Sequence, residues 1–301
     1  LALGALLAEH GAYAMSASDS TEARPLQVDV SNEPIHWDLP KAQTYGDYLD
    51  LERILGAQHP RSAAHDEMLF LIVHQTSELW MKLLLHELRA AMACLRRDEL
   101  LPAFTTLNRM GHIQAQLTHV WEVLATLTPA DYSSFRNELG RSSGFQSWQY
   151  RLLECTLGNK NSALIEVHRG DVQAHAQLRA ALAAPSLYDE CLQLLSRRGF
   201  GIDESVLVRD YAAPYAPHKS VTAAWLAVYH RSKTHWDLYA LAERLIELDH
   251  RFQDWRFSHM KTVERIIGNK AGTGGTSGVN YLAKALELRF FPELWQVRSA
   301  L

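Results

Sequence analysis

From His218 to Ile267 the chain contains neither glycine nor proline, and this limits its fold more than any other feature. Strands are far shorter than that, and a loop would be punctuated by one residue or the other. The stretch predicts one very long helix, or two in line, with an apolar face that needs a partner. Further helices are expected over about 66–97 and 101–127. In "TPADYSSFRNELG", Thr128 reads as N-cap, Pro129 as the first helical residue and Gly140 as the stop. Shorter helices fit "SWQYRLLECTLG", "DVQAHAQLRAALAA" and "SLYDECLQLLSRRG". "TYGDYLDLERIL" follows a capping Thr44; "VNYLAKALELR" reads as a late helix and "FFPELWQVRSAL" as one more turn. Strand signals are almost absent. The expectation is an all-α protein: a single large helical-bundle domain of long helices over 40–301, preceded by a largely loose tail over 1–39 that is polar and proline-punctuated from about Met15.

Charge and cysteines narrow the class. With 30 basic against 34 acidic residues, the formal net charge of -4 argues against a nucleic-acid partner or an anionic membrane surface. No unbroken apolar run approaches the roughly 18–20 residues of a bilayer span, so no membrane is expected. Cys94, Cys155 and Cys191 are odd in number, far apart and in no C-x-x-C pair, which fits a reducing, cytoplasmic location. The opening "LALGALLAEHGAYAM" is apolar but has no basic flank, a poor signal peptide, and Met15 offers a start.

Two histidines stand out on the helical faces. At about 100° per residue, Phe70, His74, Ser77, Met81, Leu85 and Leu88 form one stripe, with His74 well inside it. In "LIELDHRFQDWRFSHMKTVERIIG" the apolar face is Leu245, Leu248, Phe252, Trp255, Val263 and Ile266, and His259 sits in its middle. One reading makes each a core histidine satisfied by a nearby carbonyl. The other places a prosthetic group between the helices, with one imidazole on a metal and one facing a substrate. A helical electron carrier would use both as ligands, and a plain scaffold neither. Other metal signals are weak: Glu247-x-x-His250 occurs once and on the polar face, "HELRA" is not H-E-x-x-H, and His86, His112 and His119 read as surface.

"GTGGTSG" follows no strand and lacks the Lys-Ser/Thr of a phosphate loop. Helix termination at Gly268 and a restart explain two glycines; five between 268 and 278 suggest a mobile lid carrying Thr273 and Thr276. Tyr132 and Arg136 lie one turn apart on one face, either a surface pair or a carboxylate receptor.

The segments "DEMLFLIVHQTSELWMKLLLHELRAA", "DYSSFRNELGRSSGFQS", "WRFSHMKTVERIIGNKAGTGGTSGVNYL" and "FFPELWQVR", in that order, resemble the tryptophan 2,3-dioxygenase family over roughly residues 40–301. The resemblance implies a cytoplasmic homotetramer with a pocket between its helices for non-covalent haem b, ferrous when active. It further implies cleavage of the indole C2–C3 bond of L-tryptophan with O2 to N-formyl-L-kynurenine, the first step of the kynurenine pathway. By the family's pattern His259 is the proximal iron ligand. His74 is the distal, catalytic histidine facing the indole N–H, with Phe70 beside the indole and haem. Tyr132 and Arg136 hold the substrate carboxylate, and Thr273 meets the amino-acid end. Tyr45, Tyr48 and Leu49 belong to an N-terminal helix that enters a neighbouring subunit's site, and Ser143 offers a near-haem hydroxyl.

Overall fold

The stretch without glycine or proline folds as two helices. A computed structural model describes residues 28–37 and 43–301; most of the expected tail, and Pro40, lie outside them. The helices are α1 (Tyr45–Leu49), α2 (Leu51–Leu55), α3 (Asp66–Arg96), α4 (Leu100–Leu124), α5 (Pro129–Phe135), α6 (Trp148–Leu157) and α7 (Ser162–Ile165). They continue as α8 (Val172–Ala183), α9 (Leu187–Arg197), α10 (Glu204–Leu207), α11 (Lys219–His230), α12 (Trp236–Ile267), α13 (Val279–Ala285) and α14 (Pro292–Val297). No strand occurs among the described residues, and the protein is all-α as the patterns predict. The break between α11 and α12 falls at Arg231, Ser232, Lys233 and Thr234, which offer no apolar anchor. The backbone N–H groups of Thr234 and His235 both turn back to the Arg231 carbonyl, each at 2.9 Å.

Two compact units are distinguished, one up to Gly56 and the other from Ala57 to Leu301. In the first, Thr44 caps α1 through a reciprocal bond with Asp47. Asp50, in the left-handed conformation at φ 52°, divides the expected single helix into α1 and α2. Residues 28–37 are exposed and form no helix.

In the second unit α3 and α4 pack along most of their lengths, and α12 lies against α4. Leu84, Leu88 and Leu95 of α3, Met110 of α4 and Leu241 and Leu245 of α12 are fully buried. Each such side chain contributes roughly 1.5–3 kcal/mol of transfer free energy. One expectation is corrected here: α3 is long and apolar enough, by length and composition, to cross a membrane. Gln75, Thr76, Ser77 and Glu78 break the unbroken run without lowering the mean hydropathy far enough. Its Leu84–Leu95 stripe lies in the protein core, the place of an apolar helix in a bundle.

A smaller apolar cluster sits at one end, where Val73, Trp121, Leu124, Leu127, Tyr132, Phe135 and Ile266 meet. Trp255 packs against both clusters. Thr128 and Asp131 form a capping box at the start of α5, with Pro129 inside it. After α5 the chain tightens into a 3₁₀ turn, Arg136–Leu139, and reverses at Gly140, whose φ of 55° suits glycine. That reversal carries Ser142 and Ser143 back beside the cavity between the clusters.

Candidate active site

The cavity, of about 440 Å3, is lined by α3, α4, α5, α6, α12, α13, the turn after α5 and the glycine loop. Its volume lies within the roughly 300–1,000 Å3 range of ligand sites. Phe70, His74, Tyr132, Ser143, His259 and Thr273 all line it, so residues 70 to 273 in sequence converge on one space.

His259 is stacked on Trp121, ring centroids 4.4 Å apart and planes 13° from parallel, with Trp255 at 5.7 Å. Neither ring nitrogen of His259 has a protein hydrogen-bond partner, and burial, with a smaller push from His74, brings its pKa down to about 4. A neutral imidazole on the cavity wall, braced by an indole, keeps a lone pair that no protein proton donor takes. That is the chemistry of a metal ligand.

His74 differs in one bond. Its Nδ1 lies 2.7 Å from the carbonyl oxygen of Phe70, one turn back on α3. A carbonyl only accepts, so Nδ1 carries the proton and Nε2 presents a lone pair. Burial lowers its pKa, opposed by the Phe70 carbonyl and Glu78. The Phe70 ring lies 4.1 Å from the imidazole and 5.6 Å from Phe135, while Tyr132 is 6.1 Å from Phe70. Phe70 and Tyr132 line the cavity with His74, and the buried Phe135 backs them both.

Arg136 stands at the mouth, outside the lining residues of the cavity. Its Nη2 donates to the Ala271 carbonyl of the glycine loop at 2.8 Å. The Thr273 hydroxyl donates to the Ser142 carbonyl at 2.5 Å. A Cβ on Gly274 would lie 2.7 Å from the Ser143 Cβ, so only glycine lets the loop seat there. Gly278, at φ 63°, would bring a Cβ within 2.5 Å of the Lys270 carbonyl oxygen. The Ser143 hydroxyl accepts from the Phe145 N–H at 3.3 Å and borders the cavity. The phenol of Tyr132 is pushed up by burial, with Arg136 acting against it.

Tyr45, Tyr48 and Leu49 lie on α1, in the other compact unit; Tyr45 is 76% and Tyr48 74% exposed. His86, His112, His119 and His250 are exposed, as read from their faces. Sequence reasoning missed Trp121, though it continues the α4 stripe Met110–Ile113–Leu117–Leu124. It also missed Arg151, Glu154 and Arg256, a buried charged group in the cavity wall. Their spacing, one turn apart on α6 and far away on α12, gave no signal that they meet.

The residues fit a flat aromatic macrocycle bearing a metal. The wall is mostly apolar, His259 is unpartnered, and the buried Nε1 of Trp121 and of Trp255 have no partners either.

The sequence profile of tryptophan 2,3-dioxygenase matches residues 31–301. Tryptophan 2,3-dioxygenase 1 of Ralstonia nicotianae is 54% identical over 292 residues, covering 97% of this chain and 94% of that protein. The tryptophan 2,3-dioxygenase of Burkholderia pseudomallei is 53% identical over 291 residues, covering 97% and 95%. That of Bacillus cereus is 52% identical over 272 residues, covering 90% and 98%. With the profile matching most of its length and identities above one half, the chain belongs to the tryptophan 2,3-dioxygenase family.

Proposed function

We propose that this dioxygenase binds haem b non-covalently in the 440 Å3 cavity, with His259 as the residue that would hold the iron, and cleaves the indole C2–C3 bond of L-tryptophan to give N-formyl-L-kynurenine. The observation that carries the reading is the pair of imidazoles on one cavity: His259 with both nitrogens unpartnered, and His74 with one nitrogen tied back to its own helix.

Haem iron, when bound and ferrous, supplies the binding and activation of O2. The chain's residues do the rest. Trp121 fixes the plane of the His259 ring. Phe70, backed by the buried Phe135, holds the bicyclic ring by apolar contact, Tyr132 stands with Arg136 toward the carboxylate, and His74 Nε2 accepts the indole N–H. Nothing in this pairing requires His74 to remove a proton; it orients. Arg136 keeps free N–H groups beside the one given to Ala271, and these receive the substrate carboxylate as a fork. The Thr273 hydroxyl and the loop close over the amino-acid end and exclude water.

Tyr45, Tyr48 and Leu49 are the surface that a neighbouring subunit's site would take up; the exposure of the two aromatic rings supports that use in a homotetramer. Three buried free thiols support a cytoplasmic location.

The absorption spectrum of the purified protein tests the assignment. A Soret band that disappears in His259→Ala, together with formation of N-formylkynurenine from tryptophan and O2, is the expected result. A colourless protein, or a ferrous spectrum with two histidine ligands unchanged by tryptophan, would overturn it.

A further inference from the structure

One wall of the cavity carries charge that the chemistry above does not use. Arg151 and Glu154 on α6 and Arg256 on α12 are 5%, 3% and 3% exposed, and all three line the cavity. Glu154 serves both cations: Arg151 Nη1 donates to Oε2, and Arg256 Nη2 donates to Oε1 at 3.3 Å. Arg256 is otherwise satisfied, with Nε on the Tyr150 hydroxyl at 3.2 Å and Nη1 on the Leu288 carbonyl at 3.4 Å. Arg151 is not. Its Nε is buried without any partner, and no acceptor meets Nη2.

These three side chains hold two positive charges against one negative; the next buried carboxylate, Asp249, acts on Arg256, while Glu154 is the carboxylate acting on Arg151. Nearby His168, whose Nε2 also lacks a partner, adds no anion; burial and Arg151 favour its neutral form. The guanidinium is held over the rings of Phe145 and Tyr150, with centroids at 5.0 and 5.1 Å. Nε and Nη2 form one edge of the guanidinium, the edge that meets a carboxylate in two parallel bonds. A buried cation with that edge unused lacks an anion, and the cavity is where an anion would enter.

We propose that Arg151 anchors a carboxylate of the ligand filling this cavity, namely a propionate of the haem. The assignment rests on the haem reading above. It makes Arg151 a binding residue for the porphyrin periphery, on a different helix from the metal ligand.

The test compares iron protoporphyrin IX with its dimethyl ester, which has the same ring and metal but no carboxylates. Each is loaded into the full apo-chain, and its release to excess apomyoglobin is timed. The wild-type protein should release the ester about tenfold faster or more, the scale of a charged hydrogen bond. In Arg151→Gln the two rates should converge, because haem leaves faster while the ester does not change. That variant leaves Glu154 paired one-to-one with Arg256, and circular dichroism checks its fold; Arg151→Lys, which keeps the charge but not the fork, should fall between. Arg151→Gln keeping the full wild-type preference would overturn the proposal. Equal release of both porphyrins by the wild type would do so without any variant. If neither porphyrin bound at all, the haem reading itself would fail, a result distinct from tight binding without preference.

Discussion

Around His259 the wall of the cavity is built from long helices; at Ser142–Ser143 and Gly272–Gly278 it is built from two loops. At the floor, Trp121 and Trp255 project from two long helices whose own carbonyls and amides are already paired within the helix. At the rim, the Ala271 carbonyl takes Arg136, the Ser142 carbonyl takes Thr273, and Gly274 rests on the Cβ of Ser143. The floor is thus part of the protein's core and cannot move without unfolding something. The rim is held by a few exchangeable hydrogen bonds and can open. A dioxygenase has use for both: a fixed position for a prosthetic group, and a gate for a substrate that must enter and a product that must leave.

If that division is right, floor variants should change stability and rim variants should change kinetics. Trp121→Ala should have the largest effect. Removing a buried indole from the second cluster costs about 3–5 kcal/mol, read as a lower denaturant midpoint of the apo-protein. An unchanged midpoint would mean the floor is not part of the core. Arg136→Leu should leave that midpoint in place and lose about 1.5–3 kcal/mol of substrate interaction, roughly ten- to a hundredfold in kcat/KM. Unchanged steady-state constants would remove Arg136 from the site.

Gly274→Ala sharpens the contrast further. The new methyl overlaps the Ser143 Cβ, which costs on the order of 1 kcal/mol or somewhat more if the loop must shift. The unfolding midpoint should fall only by an amount on that scale, well short of the loss in Trp121→Ala, while KM rises several-fold. Trypsin should also cleave more readily after Lys270. A lowered midpoint with unchanged KM would place the loop in the core after all.

The same division decides how much the sequence could tell. The long helices, the Thr128 cap, the Gly140 stop and the inward faces of His74 and His259 follow from periodicity and capping, which are local properties. The family's motifs added roles for Tyr132, Arg136 and Thr273; Tyr132 and Thr273 line the cavity, and Arg136 lies outside its lining, bonded to the glycine loop. What stayed hidden was relational. Arg136 spends a donor on Ala271, 135 residues away in sequence, and Arg256 shares Glu154 with Arg151 across 102 residues. No periodicity encodes such meetings. The break at 231–235 was hidden for another reason: polar residues ended the helix there without glycine or proline to mark it.

The smallest effect concerns His74, which belongs to neither category, being a floor side chain that acts on the substrate. Its Nδ1 bond to Phe70 is made within one helix turn, to a carbonyl that is part of the helix ladder, so His74→Ala strips little from the fold. What it should lose is one neutral hydrogen bond to the indole N–H, about 0.5–1.5 kcal/mol, or up to roughly tenfold in kcat/KM. 1-Methyltryptophan has no such N–H. The wild type should therefore handle it less well than tryptophan, and the variant should show no further loss on it, so that the two changes are not additive. If His74→Ala cost the same with both substrates, the imidazole would be acting by packing alone. The lone pair freed by the Phe70 carbonyl would then have no part in recognition.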